Sequence, residues 1–225
     1  MSRQNYLEII KESVSSRKEW IVFGSVKLII KEPPPRNVNI QDIVQELEEK
    51  IPRSFVESLD VIYIGDVDHL NKKGAEATYQ NGAIHISNNQ PVEEEFVESI
   101  IHEIAHCVEE KFTEEIYSDG AIREEFLGKR RRLWSLLKSR GFIDDHSLSH
   151  FMNLDYSKEF DMFLYKKIGY KALGAHTMGL FLSPYAATSL REYFANAFEH
   201  FFLNNEREYV KQISPHVYNK LNDLL

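Results

Sequence analysis

The spacing of apolar residues predicts a chain in which short strands alternate with amphipathic helices. Apolar positions recur every three or four residues over about 6–18 and 39–59, which predicts two helices, the second interrupted near Pro52. Residues 20–30 are rich in Ile, Val and Phe and predict a strand that ends before three consecutive prolines. The short apolar run at 61–64 is typical of a buried strand.

The pair Asn81-Gly82 stands between two candidate strands and predicts a tight hairpin. In the second strand, Ile84 and Ile86 alternate with His85, so one face is expected to be buried and the other wet. This alternation favours a strand at the edge of a sheet, where an extended peptide could add as one more strand. Ile84, His85 and Ile86 are therefore candidate contacts for a peptide substrate.

A helix is predicted to begin after a cap at Asn88 or Asn89, with Pro91 in its first turn, and to reach about Phe112. The acidic residues at 93–95 complement the positive end of the dipole of this helix. The pattern H-E-x-x-H lies on it, with His102 and His106 one turn apart, so both imidazoles leave the same face and can bind one metal ion. Glu103 lies beside the pair, where it can take a proton from a metal-bound water. The pattern alone arises by chance in roughly one protein in a hundred, and the alternative is an amphipathic helix with two solvated histidines.

The C-terminal half predicts further helices over 113–141, 157–168, 189–202 and 209–225, with the last beginning after Ser214-Pro215. The basic run at 129–132 is interpreted as a solvated helix face. Residues 144–150 and 174–188 are expected to be irregular. No internal repeat is visible, and residues 1–225 are predicted to form one domain with a charged helical insertion at about 113–155.

Composition narrows the classes of partner. The net charge of −8 argues against nucleic acid and against an anionic membrane surface. The first twenty residues lack the apolar core of a secretory signal, and no run is long enough to span a bilayer, so the cytoplasm is the default expectation. The single cysteine, Cys107, excludes an internal disulfide. The sequence leaves the oligomeric state open.

A catalytic zinc bound by two histidines of one helix needs a third protein ligand and an open position for water. The downstream candidates are His146, His150, His176, Glu192, Glu199 and His200. Glu192 lies near the start of a helix, seven residues after Tyr185. Ser189 with Glu192 also matches a capping box, in which the glutamate only satisfies a backbone donor. The spacing alone does not decide between the two roles.

Taken together, these residues resemble the catalytic domain of anthrax lethal factor and the related Pro-Pro endopeptidases. The resemblance rests on the H-E-x-x-H helix, the Asn-Gly strand pair before it, and residues 192–198 with a tyrosine seven positions earlier, and it covers about 61–112 and 157–225. It implies an α+β, mostly helical zincin-like domain of the gluzincin type, with a small mixed sheet whose edge strand lies beside the H-E-x-x-H helix. It also implies one zinc ion per chain, bound by His102, His106 and Glu192.

The same resemblance implies that Glu103 is the general base and that Tyr185 donates a hydrogen bond to the oxyanion. Two positions that would support the metal ligands depart from the family pattern, since Asn196 replaces a glutamate and Glu109 replaces an aspartate. The expected function is a zinc-dependent endopeptidase that hydrolyses protein or peptide substrates with a metal-activated water. The alternative is a catalytically inactive binding module with the same fold.

Overall fold

The computed structural model describes residues 18–66, 70, 75–143, 148–203 and 206–225. The helix predicted over 6–18, the polar residues 144–146 and the side chain of His176 lie outside this description. The described residues divide into two compact units, with the boundary after Cys107. Among them, no helix combines the length and the apolar character needed to cross a membrane.

The described residues of the first unit include a five-stranded mixed sheet, two long α-helices and a short 3₁₀ helix, Arg53–Val56. The strands are β1 (Lys18–Val22), β2 (Val26–Ile30), β3 (Val61–Gly65), β4 (Ala77–Gln80) and β5 (Ala83–Ser87). Their order across the sheet is β1-β2-β3-β5-β4, with parallel pairing of β2 with β3 and of β3 with β5. The two outer pairs are antiparallel. Together with the many helices, this confirms the coarse α+β class.

The single strand predicted over 20–30 is a hairpin formed by β1 and β2. Its turn contains Phe23 and Gly24, which both have positive φ, and the N–H of Ser25 donates to the carbonyl of Val22 at 3.2 Å. The turn lacks an Asn-Gly signal and sits inside a continuous apolar run, so the pattern hides it. The second hairpin, between β4 and β5, has the predicted turn, with φ of 49° at Asn81 and 76° at Gly82.

The prediction that residues 84–86 form a sheet edge is wrong. β5 pairs with β3 on one side and with β4 on the other, so the outer strand of this hairpin is β4. Ile84 and Ile86 are fully buried, and the ring of His85 stacks on Tyr63 with centroids 5.0 Å apart. Alternation with a period of two tells which face of a strand is buried, but it does not tell whether the strand has one neighbour or two.

The two helices of the first unit follow the predicted patterns. Helix α1 (Ile40–Lys50) is capped by Asn39, whose side chain accepts a hydrogen bond from the N–H of Gln41 at 3.0 Å. Helix α2 (Glu93–Lys111) carries the H-E-x-x-H pattern, and its apolar stripe is fully buried at Phe96, Ile100, Ile101, Ile104 and Val108. The unit boundary falls within α2, so the last turn of this helix belongs to the second unit.

The second unit is helical. Its helices are α3 (Thr113–Tyr117), α4 (Ala121–Ser139), α5 (Leu148–Phe151), α6 (Lys158–Met162), α7 (Tyr170–Thr177), α8 (Leu190–Leu203), α9 (Arg207–Ile213) and α10 (Pro215–Leu224). A π-helix, Phe163–Gly169, links α6 to α7, so the helical segment predicted over 157–168 extends further, to Thr177. The tail, predicted as one helix after Ser214-Pro215, is preceded by the separate helix α9.

The basic run at 129–132 is not a uniformly solvated face. Arg130 is 1% exposed and Lys129 is half-buried, whereas Arg131 and Arg132 are exposed. Four consecutive residues cover most of the circumference of a helix, so such a run must send at least one side chain towards the core. Arg130 follows Phe126 by four positions and precedes Leu133 by three, and both of these residues are buried. The helical period of the apolar residues in α4 therefore indicates that Arg130 is buried.

Candidate metal centre

The two histidines of α2 lie one turn apart near the end of the first unit. Their ring centroids are 5.1 Å apart and the ring planes are almost perpendicular, at 86°. His106 is 6% exposed and His102 is half-buried, while Glu103 between them is 7% exposed. Because the apolar stripe of α2 is buried, this trio lies where the helix borders the core. A buried carboxylate next to two histidines is unusual for a plain solvated helix face.

Glu192 lies in the first turn of α8, where the side chain of Ser189 caps the start of the helix. The N–H of Glu192 donates to the hydroxyl of Ser189 at 3.1 Å. Its carboxylate belongs to a group with His102 and His106 in which one ligand atom from each residue lies within 4.8 Å of the others. Ligand atoms of one tetrahedral zinc lie about 3.4 Å apart. This hydrogen bond involves the backbone of Glu192, so it does not compete with a metal ion for the carboxylate.

Two of the other downstream candidates, His150 and His200, are not part of this group. The Nδ1 atom of His200 lies 2.6 Å from a carboxylate oxygen of Glu206. His150 is exposed on α5, and its carbonyl accepts a hydrogen bond from Arg130 at 2.7 Å. Among the residues that the structure describes, His102, His106 and Glu192 form the one cluster of three side chains that could hold a metal ion.

Tyr185 begins a short 3₁₀ turn, Tyr185–Ala187, a few residues before α8. Burial raises the pKa of its phenol, and the negative charge of Glu192 raises it further. The phenol therefore stays protonated at neutral pH and can donate a hydrogen bond. Tyr156, Asp161 and Tyr170 also raise the pKa of Tyr185, which places them in its electrostatic surroundings.

Asp161 connects two further tyrosines near this site. The hydroxyl of Tyr156 donates to one of its carboxylate oxygens at 2.9 Å, and the hydroxyl of Tyr170 donates to the other at 2.5 Å. The sequence carries no local signal for this network, because its three residues come from a loop, from α6 and from α7. The π-helix and the positive φ of 83° at Gly169 separate Asp161 from Tyr170, so no regular period links them.

Glu109 is held at both carboxylate oxygens. The hydroxyl of Tyr117 donates to Oε1 at 2.5 Å, and Nε of Arg191 lies 3.4 Å from Oε2. Burial and the neighbouring carboxylate raise the pKa of Tyr117, so this phenol remains a donor. Glu109 therefore ties the last turn of α2 to the residue that precedes Glu192.

Asn196 lies on α8 one turn after Glu192 and is 6% exposed. Its Oδ1 atom is buried and has no hydrogen-bond partner among the described residues. An amide oxygen without a donor in the interior of a protein is costly. A hydrogen-bond donor placed next to Oδ1 of Asn196 would therefore be stabilised.

Comparisons with protein-family models, curated proteins and solved structures return no match for this chain. The resemblance of residues 102–106 and 192–198 to the lethal factor family therefore stays a prediction. The functional conclusion depends on the residues of the site themselves.

Proposed function

We propose that the chain is a zinc-dependent endopeptidase of the gluzincin type. The observation that carries this proposal is the gathering of ligand atoms of His102, His106 and Glu192 within 4.8 Å, with Glu103 buried next to the first histidine. Two imidazoles and one carboxylate form a donor set typical of catalytic zinc, and they leave a fourth position for water. The same donors fit one ion per chain.

Zinc bound at this site would lower the pKa of a water molecule towards 7 and polarise the scissile carbonyl. Glu103 would be the group that accepts a proton from such a water and delivers it to the leaving amine. Its position directly after His102 on α2 keeps its carboxylate on the helix that supplies two of the ligands. The low exposure of Glu103 limits competition from bulk water.

Tyr185 is proposed to stabilise the oxyanion of the tetrahedral intermediate. A donor is useful there only while it keeps its proton, and burial and the Glu192 charge both raise the pKa of this phenol. Preorganised donors of this kind contribute about 3 kcal/mol to the stabilisation of the transition state. Tyr185 precedes the metal ligand by seven residues in one continuous segment, so the two groups are held by the same stretch of chain.

The proposed substrate is an extended peptide. Of the two strands of the β4–β5 hairpin, β4 is the candidate for pairing with it, because β5 already pairs with a described strand on each side. A peptide that pairs with an outer strand satisfies its backbone donors and acceptors along the strand, which gives binding without strong demands on its side chains.

The second candidate is a non-catalytic module that binds zinc and a peptide but does not cleave it. It is favoured by Asn196, since the resembled family has a glutamate there. An unbiased peptide library digested by the zinc-loaded protein, with and without a chelator, separates the two. Cleavage that the chelator abolishes supports the peptidase, zinc uptake without cleavage supports the binding module, and a folded protein that takes up no zinc contradicts both.

A further inference from the structure

Arg130 of α4 has its guanidinium group inside the second unit, where it donates hydrogen bonds to four backbone carbonyls. Its Nε bonds the carbonyl of Phe151 at 3.0 Å and Nη2 bonds that of His150 at 2.7 Å. Its Nη1 bonds the carbonyls of Ala187 and Thr188. The side chain is 1% exposed, so these bonds are formed away from water.

The charge of Arg130 is compensated in an unusual manner. No carboxylate of the described residues lies within ion-pair distance of it, and its acceptors are neutral carbonyls. Three aromatic rings complete the surroundings, with Arg130 Cζ 4.1 Å from the ring centroid of Phe160, 5.2 Å from that of Phe126 and 5.7 Å from that of Phe151. Burial lowers the pKa of Arg130 to about 9, so the group remains a cation at neutral pH.

A buried cation is a costly way to fill a core, because apolar residues of similar size often give equal or higher stability. What a guanidinium offers instead is a planar group of five donors that fixes several acceptors relative to one another. Arg130 uses these donors on two separate segments, residues 150–151 and residues 187–188. The side chain of Arg130 therefore fixes the positions of these two segments relative to each other.

The second of these segments carries Tyr185. Its 3₁₀ turn closes through Thr188, whose hydroxyl and N–H both donate to the carbonyl of Tyr185, at 2.8 Å and 2.9 Å. The carbonyl of Thr188 is in turn bound by Arg130 at 3.2 Å. Two residues further on, the N–H of Leu190 donates to the carbonyl of Leu154 at 2.8 Å, which continues the alignment of the two segments.

We infer that Arg130 is a positioning residue that holds the turn of Tyr185 in place, so that helix α4 determines where the oxyanion donor lies. This inference rests on the proposed function for the role of Tyr185. Residues 113–155, predicted from the sequence as an insertion, would thereby have a role in the proposed site. Arg130 does not contact the reacting atoms and acts through Tyr185.

The test is a double-mutant cycle on the zinc-loaded protein. Arg130→Lys keeps the charge but loses the planar fork, and we expect kcat to fall about 100-fold with KM changed by less than about threefold, since small misplacements of a catalytic group have costs of this size. In the Tyr185→Phe background the same change should lower kcat by less than about threefold, because the residue it acts through is already disabled. Arg132→Lys, on the exposed face of α4, is the matched control and should leave kcat unchanged. Equal losses from Arg130→Lys in both backgrounds would overturn the inference.

A second readout is independent of catalysis. With 3-fluorotyrosine placed at position 185, the ¹⁹F resonance should shift or broaden in Arg130→Lys and should match the wild type in Arg132→Lys. If Arg130→Lys does not fold, Arg130→Gln replaces it in both experiments, since it removes the guanidinium fork and keeps a side-chain amide donor. An unchanged resonance in a folded variant contradicts the positioning role. Absence of cleavage by the wild type refutes the proposed function instead, and the resonance still decides the role of Arg130.

Discussion

The guanidinium Nε of Arg191 lies 3.4 Å from the carboxylate of Glu109, so the residue before Glu192 is joined to the last turn of α2. Tyr117 occupies the other oxygen of the same carboxylate at 2.5 Å. These two contacts differ in their surroundings, because the side chain of Arg191 is 52% exposed whereas Tyr117 is half-buried on α3. They are therefore expected to differ in strength.

Removal of the phenol hydroxyl should cost more stability than removal of the guanidinium. Tyr117→Phe is expected to lower the free energy of unfolding by about 2 kcal/mol, since hydrogen bonds to charged groups contribute on that order. Arg191→Gln is expected to lower it by less than about 1 kcal/mol, as for other exposed ion pairs. Urea unfolding of both variants measures the two values, and the reverse order would contradict this assignment.

Loss of the Glu109 carboxylate should weaken metal binding without removing a ligand. In Glu109→Ala, Arg191 at the start of α8 and Tyr117 at the end of α3 each lose their contact with α2. We expect zinc affinity to fall about tenfold, within the usual range for groups that support metal ligands. Competition with a chromogenic chelator measures the affinity. Glu110→Ala is the matched control, because Glu110 is the exposed neighbour on the same helix. Equal affinities in both variants would show that Glu109 does not support the site.

Asn196 allows stability and metal affinity to be separated. Its Oδ1 atom has no partner among the described residues, so Asn196→Leu removes an unsatisfied acceptor and should leave the melting temperature unchanged or raise it. If the amide supports the ligands of the loaded site, zinc affinity should nevertheless fall about tenfold. Thermal melts of the metal-free protein and chelator competition provide the two values. A lower melting temperature with unchanged affinity would make Asn196 a packing residue.

Lys129 gives the protein a pH dependence on the alkaline side. Its Nζ donates to the carbonyls of Leu180 and Ile213, and burial lowers its pKa from the usual 10.5 to about 8. Between these two values the unfolded chain binds more protons than the folded chain, so stability contributed by this residue rises with pH. The free energy of unfolding of the wild type minus that of Lys129→Met should therefore increase from pH 8 to pH 10.5. A difference that stays flat or falls would contradict the lowered pKa, and Lys171→Met provides the comparison for an exposed lysine.

The sequence predicted the elements of the site better than their surroundings. Helices α2 and α8 and the Asn81-Gly82 hairpin carry strong local signals, namely a helical period, acidic first turns and a turn that needs two residues of positive φ. The place of β5 in the sheet is set by its partners β3 and β4, which come from other parts of the chain. A local pattern cannot report that pairing.

Burial of charge was the second feature that the prediction missed, although the apolar period of α4 contains its signal. The basic run was assigned by its composition, whereas the position of Arg130 on the apolar stripe of α4 determines its burial. The network of Asp161 with Tyr156 and Tyr170 depends on a π-helix and on the left-handed Gly169, and neither follows from an apolar period. Short sequence motifs therefore identified the residues of the proposed chemistry. The residues that hold these motifs in place could be identified only from the fold.

The central claim is that Glu103 takes a proton from a water bound to a zinc ion that His102, His106 and Glu192 hold. The most direct measurement compares peptide cleavage by the zinc-loaded wild type and by Glu103→Gln, which keeps the size of the buried side chain, with zinc content determined on the same samples. The account predicts about one zinc per chain in both proteins and cleavage by the wild type alone. Cleavage at equal rates by both proteins, or a folded wild type without zinc, would contradict it.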